Sequence, residues 1–330
     1  MKTMKWLVRR EFWEHKGSLL WAPIVAGGLM IGLFTFGVIM ALTRSPNDVV
    51  RVNGEVVANT QGLGFGALFN KLPAKEQADI MDMIGAGYIA AAAPLFLMLS
   101  VIAFFYCLSA LHDERRDRSI LFWKSLPVSD AQTVVSKVLT AALVAPLITI
   151  GVGVFISLLM LLITGVTVAF HGINVFGPLL SNTQFYLAPL QLLSLLPVYV
   201  LFALPTIGWL MLVSAWAKSK VFLWAVGAPL LAMGVIKWFD YLLRLGIDLE
   251  WVSHNILGRG LLGLVPGAWL SLERVDPNVL LDPANQHMAL GSVVKLSYMS
   301  LAAPGVWIAA VAGIGMLYAA TRMRRWKDEG

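Results

Sequence analysis

The sequence predicts an all-α integral membrane protein with six transmembrane helices. Hydrophobic residues make up 58% of the chain and charged residues only 13%, whereas soluble domains are about one quarter charged. A helix needs roughly 20 apolar residues to cross a hydrocarbon core of about 30 Å, and six runs reach that length. The predicted spans are Ser18–Leu42, Gly85–Leu111, Val138–Thr164, Leu190–Trp216, Val221–Leu245 and Leu301–Ala320.

The distribution of Lys and Arg predicts the orientation. Both ends of the chain, the connector after the second span and the link after the fourth span carry most of the basic residues. Basic residues near span ends favour the cytoplasmic side, so we expect both termini to be cytoplasmic. The net charge of +6 then reflects membrane topology, and nucleic-acid binding is not needed to explain it. We expect residues 1–330 to form a single transmembrane domain.

The N-terminal segment, residues 1–17, predicts an amphipathic helix lying at the membrane surface. Apolar residues recur on one helical face and two tryptophans flank that face, as interfacial helices require. A plain basic flank to the first span is the alternative. These residues are Met4, Leu7, Val8 and Phe12, with Trp6 and Trp13 beside them and Glu11 near the same face.

Small residues in the first span indicate a helix-packing face. Gly28 and Gly32 form a G-x-x-x-G pattern, which allows another helix to approach closely. We interpret the two glycines as candidates for a dimer face.

Two connectors on the outer side are long. Residues 44–84 are too polar to be embedded, and a small external subdomain and a solvated linker are both open interpretations. Residues 246–300 begin with an apolar stretch that Pro266 and several glycines interrupt. Such broken backbone is tolerated at membrane depth where protein buries it, so we expect short re-entrant helices here.

The connector at residues 112–137 is the most informative part of the chain. It reads HDERRDRSILFWKSLPVSDAQTVVSK, with charged residues followed by an aromatic-rich turn. A short helix is predicted over Ser119–Leu126, ending before Pro127, and the Ser129/Gln132 pair predicts a capping box that starts the next helix. This short helix should lie transverse to the spans, and its aromatic side chains need a protein partner.

A charged trio in the fifth span is the other candidate site. Lys237, Asp240 and Arg244 follow helical spacing and share one face. Ionisable residues within a span are candidates for function, but structural ion pairing is the alternative.

Sequence motifs for catalysis are absent. The chain has no H-E-x-x-H, no G-x-S-x-G and no G-x-x-x-x-G-K-[ST] phosphate loop. We therefore expect neither an active site nor a metal or nucleotide site in this chain.

Three features together resemble a known family. REFWEHKGS precedes the first span, six spans follow, and the connector reads E-R-x-x-x-S-I-L-F-W-K-S-L-P-V-S. This combination resembles the permease subunits of type 2 ATP-binding-cassette (ABC) exporters. The resemblance implies an elbow helix over residues 1–17, a coupling helix in the 112–137 connector and re-entrant outer helices near Trp251–Leu272.

The resemblance also implies partners. A second permease copy or homologue and two copies of a separate ATPase subunit would complete the complex, with ATP and Mg²⁺ bound in the ATPase, in the inner membrane of a bacterium. The residues implied to contact the ATPase are Glu114, Arg115, Arg118, Ile120, Phe122, Trp123, Leu126 and Pro127.

The expected function is thus a non-catalytic export permease. We expect its substrate to be hydrophobic or amphipathic, because no span carries a row of polar residues along one face. An ion- or proton-coupled secondary transporter is the alternative, with Asp240 as its titratable group. A lipid-modifying membrane enzyme and a scaffold that binds partner helices are two further interpretations.

Overall fold

A computed structural model describes residues 2–43, 50–52, 55–58, 73, 76–77, 80, 84–85, 87–117, 127–170, 176–244, 246, 248–274 and 290–326. Within these residues, six helical stretches are long and apolar enough to cross a membrane. Each overlaps one predicted span, so the prediction of six helices long and apolar enough to span a membrane is confirmed. In chain order, the first to sixth spans are Gly17–Met40, Tyr88–Arg116, Asp130–Phe170, Thr183–Trp216, Leu223–Leu243 and Pro304–Arg324.

The individual helices are shorter than the spans because several spans change helical geometry. In the first half of the chain the α-helices are Lys2–Glu14, Ala22–Thr43, Ala93–Ser109, His112–Arg116, Asp130–Leu139 and Ala145–Phe170. In the second half they are Phe176–Ser181, Thr183–Ser194, Leu196–Trp216, Ala228–Leu243, Leu249–Val252, Arg259–Leu261, Ala268–Leu272, Leu290–Ser300 and Pro304–Trp326.

An Ala-Pro pair explains where the geometry changes. The helices that begin at Ala22, Ala93, Ala145 and Ala228 each have proline as their second residue. Proline has no N–H to donate, and its ring clashes with the carbonyl four residues earlier, so the preceding turn cannot stay regular. That turn is π-helical at Gly17–Trp21, Thr140–Val144 and Leu223–Gly227, and 3₁₀-helical at Tyr88–Ala92.

The connector between the first and second spans contains two short strands. Strands Val50–Val52 and Glu55–Ala58 form an antiparallel hairpin in which Val52 pairs with Glu55. The register shifts by an irregularity between Val50 and Arg51. Apart from this hairpin, the regular elements of the described residues are helices, so the prediction of a helical class is confirmed.

The N-terminal helix runs from Lys2 to Glu14, where an amphipathic helix was predicted. Leu7 and Glu11 are each only 1% exposed, whereas Trp6 and Trp13 are more than half exposed. The helix thus has one buried face, and that face includes a carboxylate. Its position relative to a membrane surface stays a prediction.

The fourth span forms the centre of the bundle. In its helix Leu196–Trp216, 13 of 21 residues are buried, while the fifth-span helix Ala228–Leu243 buries none of its residues. The fourth and sixth spans cross closely at two glycines. A Cβ atom on Gly208 would lie 2.4 Å from the carbonyl oxygen of Gly313, so only glycine fits this crossing.

The predicted dimer-face glycines have a different environment. No atom lies within 4 Å of a Cβ built on Gly28 or Gly32. The first span therefore presents both glycines on an open face of the chain, and the predicted dimer contact stays a prediction.

The segment Leu249–Leu272 is broken around Pro266 and Gly267, as predicted. It returns to the middle of the fourth span, where the Thr206 hydroxyl donates to the Arg259 carbonyl (3.0 Å) and accepts from the Gly263 N–H (3.1 Å). Gly263 permits this approach, because a Cβ there would lie 2.1 Å from a backbone oxygen of the fourth span. The irregular backbone is thus satisfied by a polar side chain within the bundle.

Candidate functional site: an ionic cluster around the connector

A buried lysine lies at the centre of a charge cluster at one end of the bundle. The Nζ atom of Lys137 is 3.0 Å from Glu11 Oε1 and 3.0 Å from Glu114 Oε1. Lys137 is 3% exposed, and both glutamates are buried as well. Charged groups with so little solvent contact depend on one another for stabilisation.

The cluster continues to the last span and to the second span. Arg324 Nη2 lies 3.0 Å from Glu114 Oε2, and Arg324 Nε lies 3.4 Å from Asp130 Oδ1. The Tyr106 hydroxyl donates a hydrogen bond of 3.0 Å to Glu11 Oε2. Five charged side chains thus connect the N-terminal helix, the connector, the third span and the sixth span. We call Glu11, Glu114, Asp130, Lys137 and Arg324 the ionic cluster.

His15 lies next to this cluster without adding charge to it. Its ring packs edge-on against Tyr106, with 4.9 Å between ring centroids. Burial lowers the pKa of His15 from its ordinary value, although the Glu11 carboxylate opposes that shift. Burial thus favours the neutral form of His15, and the cations that form the ion pairs of the cluster are Lys137 and Arg324.

Local sequence places two members of the cluster on one helix. The Ser129 hydroxyl accepts from the Gln132 N–H (3.2 Å), and the Gln132 side chain accepts from the Ser129 N–H (3.1 Å), which confirms the predicted capping box. The helix starts at Asp130, whose carboxylate is favourable in the first turn. Lys137 follows two turns later, so both side chains reach the same end of the bundle.

The start of the connector is also tied to the fourth span. Arg115 donates from Nη2 to the carbonyls of Ser214 and Ala217, which end the fourth-span helix. In return, the Ser214 hydroxyl accepts from the backbone N–H groups of Leu111 (3.1 Å) and His112 (3.0 Å). The ends of the second and fourth spans are therefore held together.

The predicted ATPase-contact residues fall into three groups: two that face inward, one that is exposed and five that the structure does not describe. Glu114 and Arg115 point into the chain and hold the base of the connector. Pro127 is exposed. The other predicted contact residues, Arg118, Ile120, Phe122, Trp123 and Leu126, lie outside the described residues.

The predicted charged trio lies on the surface of the chain. Lys237 and Arg244 are exposed and Asp240 is partly exposed, on a helix that buries none of its residues. Arg244 ends that helix in the left-handed conformation, with φ of 50°. The trio therefore does not lie in the packed centre of the bundle.

Sequence reasoning missed one more buried ion pair. Arg259 Nη2 lies 2.7 Å from Glu273 Oε1, and Arg259 is 7% exposed. Its guanidinium packs near Gly305 at the start of the sixth span, where a Cβ would lie 3.2 Å from Nη2. On sequence alone Arg259 counted as one of the basic residues on the outer side.

One feature of the sequence could have pointed to a member of the ionic cluster. Glu11 falls on the apolar face of the N-terminal helix, where a carboxylate requires a partner. Nothing local to Lys137 or Arg324 identifies the partner, because both read as ordinary basic residues flanking a span.

An apolar cavity of about 470 Å³ lies between the second, third and fourth spans and the broken segment. Its size is within the usual range for small-molecule sites, and its walls are almost entirely hydrophobic. Residues lining it include Ile89, Phe96, Ile150, Leu196, Tyr199 and Trp269.

Within the described residues, no three His, Cys, Asp or Glu side chains converge as metal ligands would. Comparison of the chain with family models, with curated proteins and with solved structures gave no match. The fold therefore defines only a class, that of helical membrane proteins with six candidate spans.

Proposed function

We propose that the chain is the permease subunit of an ATP-driven exporter of the type 2 ABC class, powered by a separate ATPase subunit. The observation that carries the proposal is the ionic cluster, which holds both described ends of the connector. Glu114 precedes the connector's aromatic stretch, and Asp130 and Lys137 follow it. If the connector residues between Glu114 and Asp130 are displaced, the same set of ion pairs is therefore pulled or pushed at both ends.

The same contacts give that displacement a route into the bundle. Lys137 and Asp130 belong to the third span and Arg324 belongs to the sixth. Arg115 donates hydrogen bonds to the end of the fourth span. A chain of packed polar contacts is the kind of physical network through which two sites can be coupled. A push on the connector would therefore move three spans together.

Roles follow for the predicted residues. Arg118, Ile120, Phe122, Trp123 and Leu126 form the coupling helix that contacts the ATPase, since aromatic residues and arginine are favoured anchors of protein interfaces. Glu114 and Arg115 position that helix, and Pro127 ends it. The N-terminal helix is the elbow helix, and a second permease copy pairs through the open face that contains Gly28 and Gly32.

The apolar cavity supports a hydrophobic or amphipathic cargo. Pro266, Gly267 and Trp269 of the broken segment line this cavity, and in the proposed exporter that segment would act as a re-entrant element that controls access to it. The complex would work in a bacterial inner membrane with both termini cytoplasmic.

The connector supplies a direct test. Neighbouring open reading frames are searched for a phosphate-loop ATPase, each candidate is co-expressed with the chain, and complex formation and ATP hydrolysis are measured in lipid vesicles. We expect Phe122→Ala/Trp123→Ala to abolish the complex, because removing two anchor side chains costs several kcal/mol of binding, about 4 kcal/mol or more. Trp6→Ala/Trp13→Ala, which also removes two aromatic side chains, is the matched control. Normal assembly and transport by the connector variant would refute the coupling role.

The buried Arg259–Glu273 pair favours a second candidate, a proton-coupled transporter. The Arg259 guanidinium lies near Gly305, at the start of the sixth span, and pairs with Glu273; ionisable groups buried within a membrane bundle are candidates for proton relays. Under this alternative, transport follows a proton gradient without ATP and Glu273→Gln abolishes it. Glu250→Gln, which alters an exposed ion pair with Arg274, is the control. Under the exporter proposal, vesicles containing the chain alone show no gradient-driven transport.

A further inference from the structure

Two cavities adjoin one another at the end of the bundle that carries the ionic cluster. One has a volume of about 460 Å³ and lies against the link between the fourth and fifth spans. The other, of about 500 Å³, lies between the start of the first span and the end of the second. His112 lines both cavities, so the two are neighbours, and we call them together the depression.

The first cavity is cationic. Four basic side chains line it together with His112, and no acidic residue does. Arg115 is already bonded to the carbonyls of Ser214 and Ala217. Arg116, Lys218 and Lys220 form no ion pair with any carboxylate among the described residues. These three cations are available to an anionic ligand.

The backbone holds two of these cations beside the third. After the fourth-span helix ends, the link turns sharply, and Lys220 adopts a left-handed conformation with φ of 50°. Residues other than glycine rarely adopt this conformation. The turn brings Lys218 and Lys220 to the same cavity wall as Arg116, from a different part of the chain.

The second cavity is mostly apolar. Val101 and Phe105 of the second span are more than half exposed, although both line it. Phe105 stacks on Phe222, which directly precedes the fifth span, with ring planes 15° apart. The titratable groups on its wall are His15, Tyr106, His112 and Asp113, and the Asp113 carboxylate is the one acidic group there.

A ligand that satisfies both cavities has an anionic head and a long apolar tail. We propose that this depression binds an anionic phospholipid, with its phosphate headgroup against Arg116, Lys218 and Lys220. One acyl chain would lie along Val101 and Phe105. Basic pockets between membrane helices recognise anionic headgroups in this way. A free phosphate would match the cationic cavity but leave the apolar one unexplained.

Binding to the purified full-length chain in detergent tests the proposal. Native mass spectrometry counts lipid adducts when the chain is titrated with phosphatidylglycerol or with phosphatidylcholine. We expect preferential binding of phosphatidylglycerol. Lys218→Gln/Lys220→Asn should weaken it about tenfold or more, since each basic residue near an anionic lipid contributes measurably. Asparagine is chosen at position 220 because it tolerates positive φ.

Two controls make the result decisive. Lys237→Gln/Lys295→Gln removes the same charge from exposed positions elsewhere and should leave binding unchanged. Phe105→Gln should weaken the binding of phosphatidylglycerol and leave the binding of inorganic phosphate unchanged. Equal binding of the two lipids, equal loss in both lysine pairs, or displacement of phosphatidylglycerol by millimolar inorganic phosphate would each overturn the proposal. The measurement uses the chain alone, so its outcome is independent of the proposed ATPase.

Discussion

Lys137→Met is expected to destabilise the protein more than any other single substitution in the described chain. The change removes the ion pair that Glu11 forms with Lys137 and the one that Glu114 forms with Lys137, while Arg324 still contacts Glu114. Removing one partner of a buried ion pair costs about 3–5 kcal/mol, because the remaining charge stays buried without compensation. We expect a large fall in the thermal unfolding midpoint of the detergent-solubilised protein.

Two further variants separate this effect from a general loss of charge. Lys237→Met removes an exposed lysine and should change the midpoint little. Glu11→Gln combined with Lys137→Met removes a charge pair together, so it should recover part of the lost stability. If Lys137→Met proves as stable as Lys237→Met, the ionic cluster does not hold the connector as we propose.

Gly313→Ala is expected to have the second largest effect, although it adds a single methyl group. A Cβ at this position would lie 2.6 Å from the backbone carbonyl of Leu204, and backbone cannot move aside as a flexible side chain can. The fourth and sixth spans must then separate, at a cost of about 1–3 kcal/mol. The expected result is a lower unfolding midpoint together with weaker packing of the two spans.

Gly315 provides a control on the same helix. No atom lies within 4 Å of a Cβ built there, so Gly315→Ala meets open space. Alanine favours helix over glycine by up to about 1 kcal/mol, so this control should be neutral or slightly stabilising. Equal midpoints for Gly313→Ala and Gly315→Ala would show that the close crossing of the two spans is wrong. Midpoints are measured by tryptophan fluorescence on heating in the same detergent.

The features that the sequence predicted are those that depend on neighbouring residues. Span positions follow from apolar length, the capping box follows from Ser129 and Gln132, and the break in the segment Leu249–Leu272 follows from Pro266. Ala-Pro pairs at the helix starts were equally local, and they account for the irregular turns before four helices. Each of these properties is determined by residues that are close together in the sequence.

The candidate site is different, because its members are far apart in the chain. Lys137 and Glu11 are separated by 126 positions, and nothing near either residue indicates the other. The same holds for glycines. Gly28 and Gly32 carry the familiar spacing but lie open, whereas Gly208 and Gly313 form the close crossing without any such pattern linking them. Which helix faces meet depends on how each helix is rotated and on which helices are neighbours in the bundle. Neither property can be read from a short stretch of sequence.

The sequence by itself therefore determined a helical membrane protein with six spans and an unusual connector. Only the tertiary structure decided that Glu114 and Arg115 face inward, that Lys137 joins the connector to the N-terminal helix, and that Arg259 is buried against Glu273. The physical reason is that hydrophobicity depends on composition over one helix length. Compensation of a buried charge, by contrast, depends on which distant helix supplies the opposite charge.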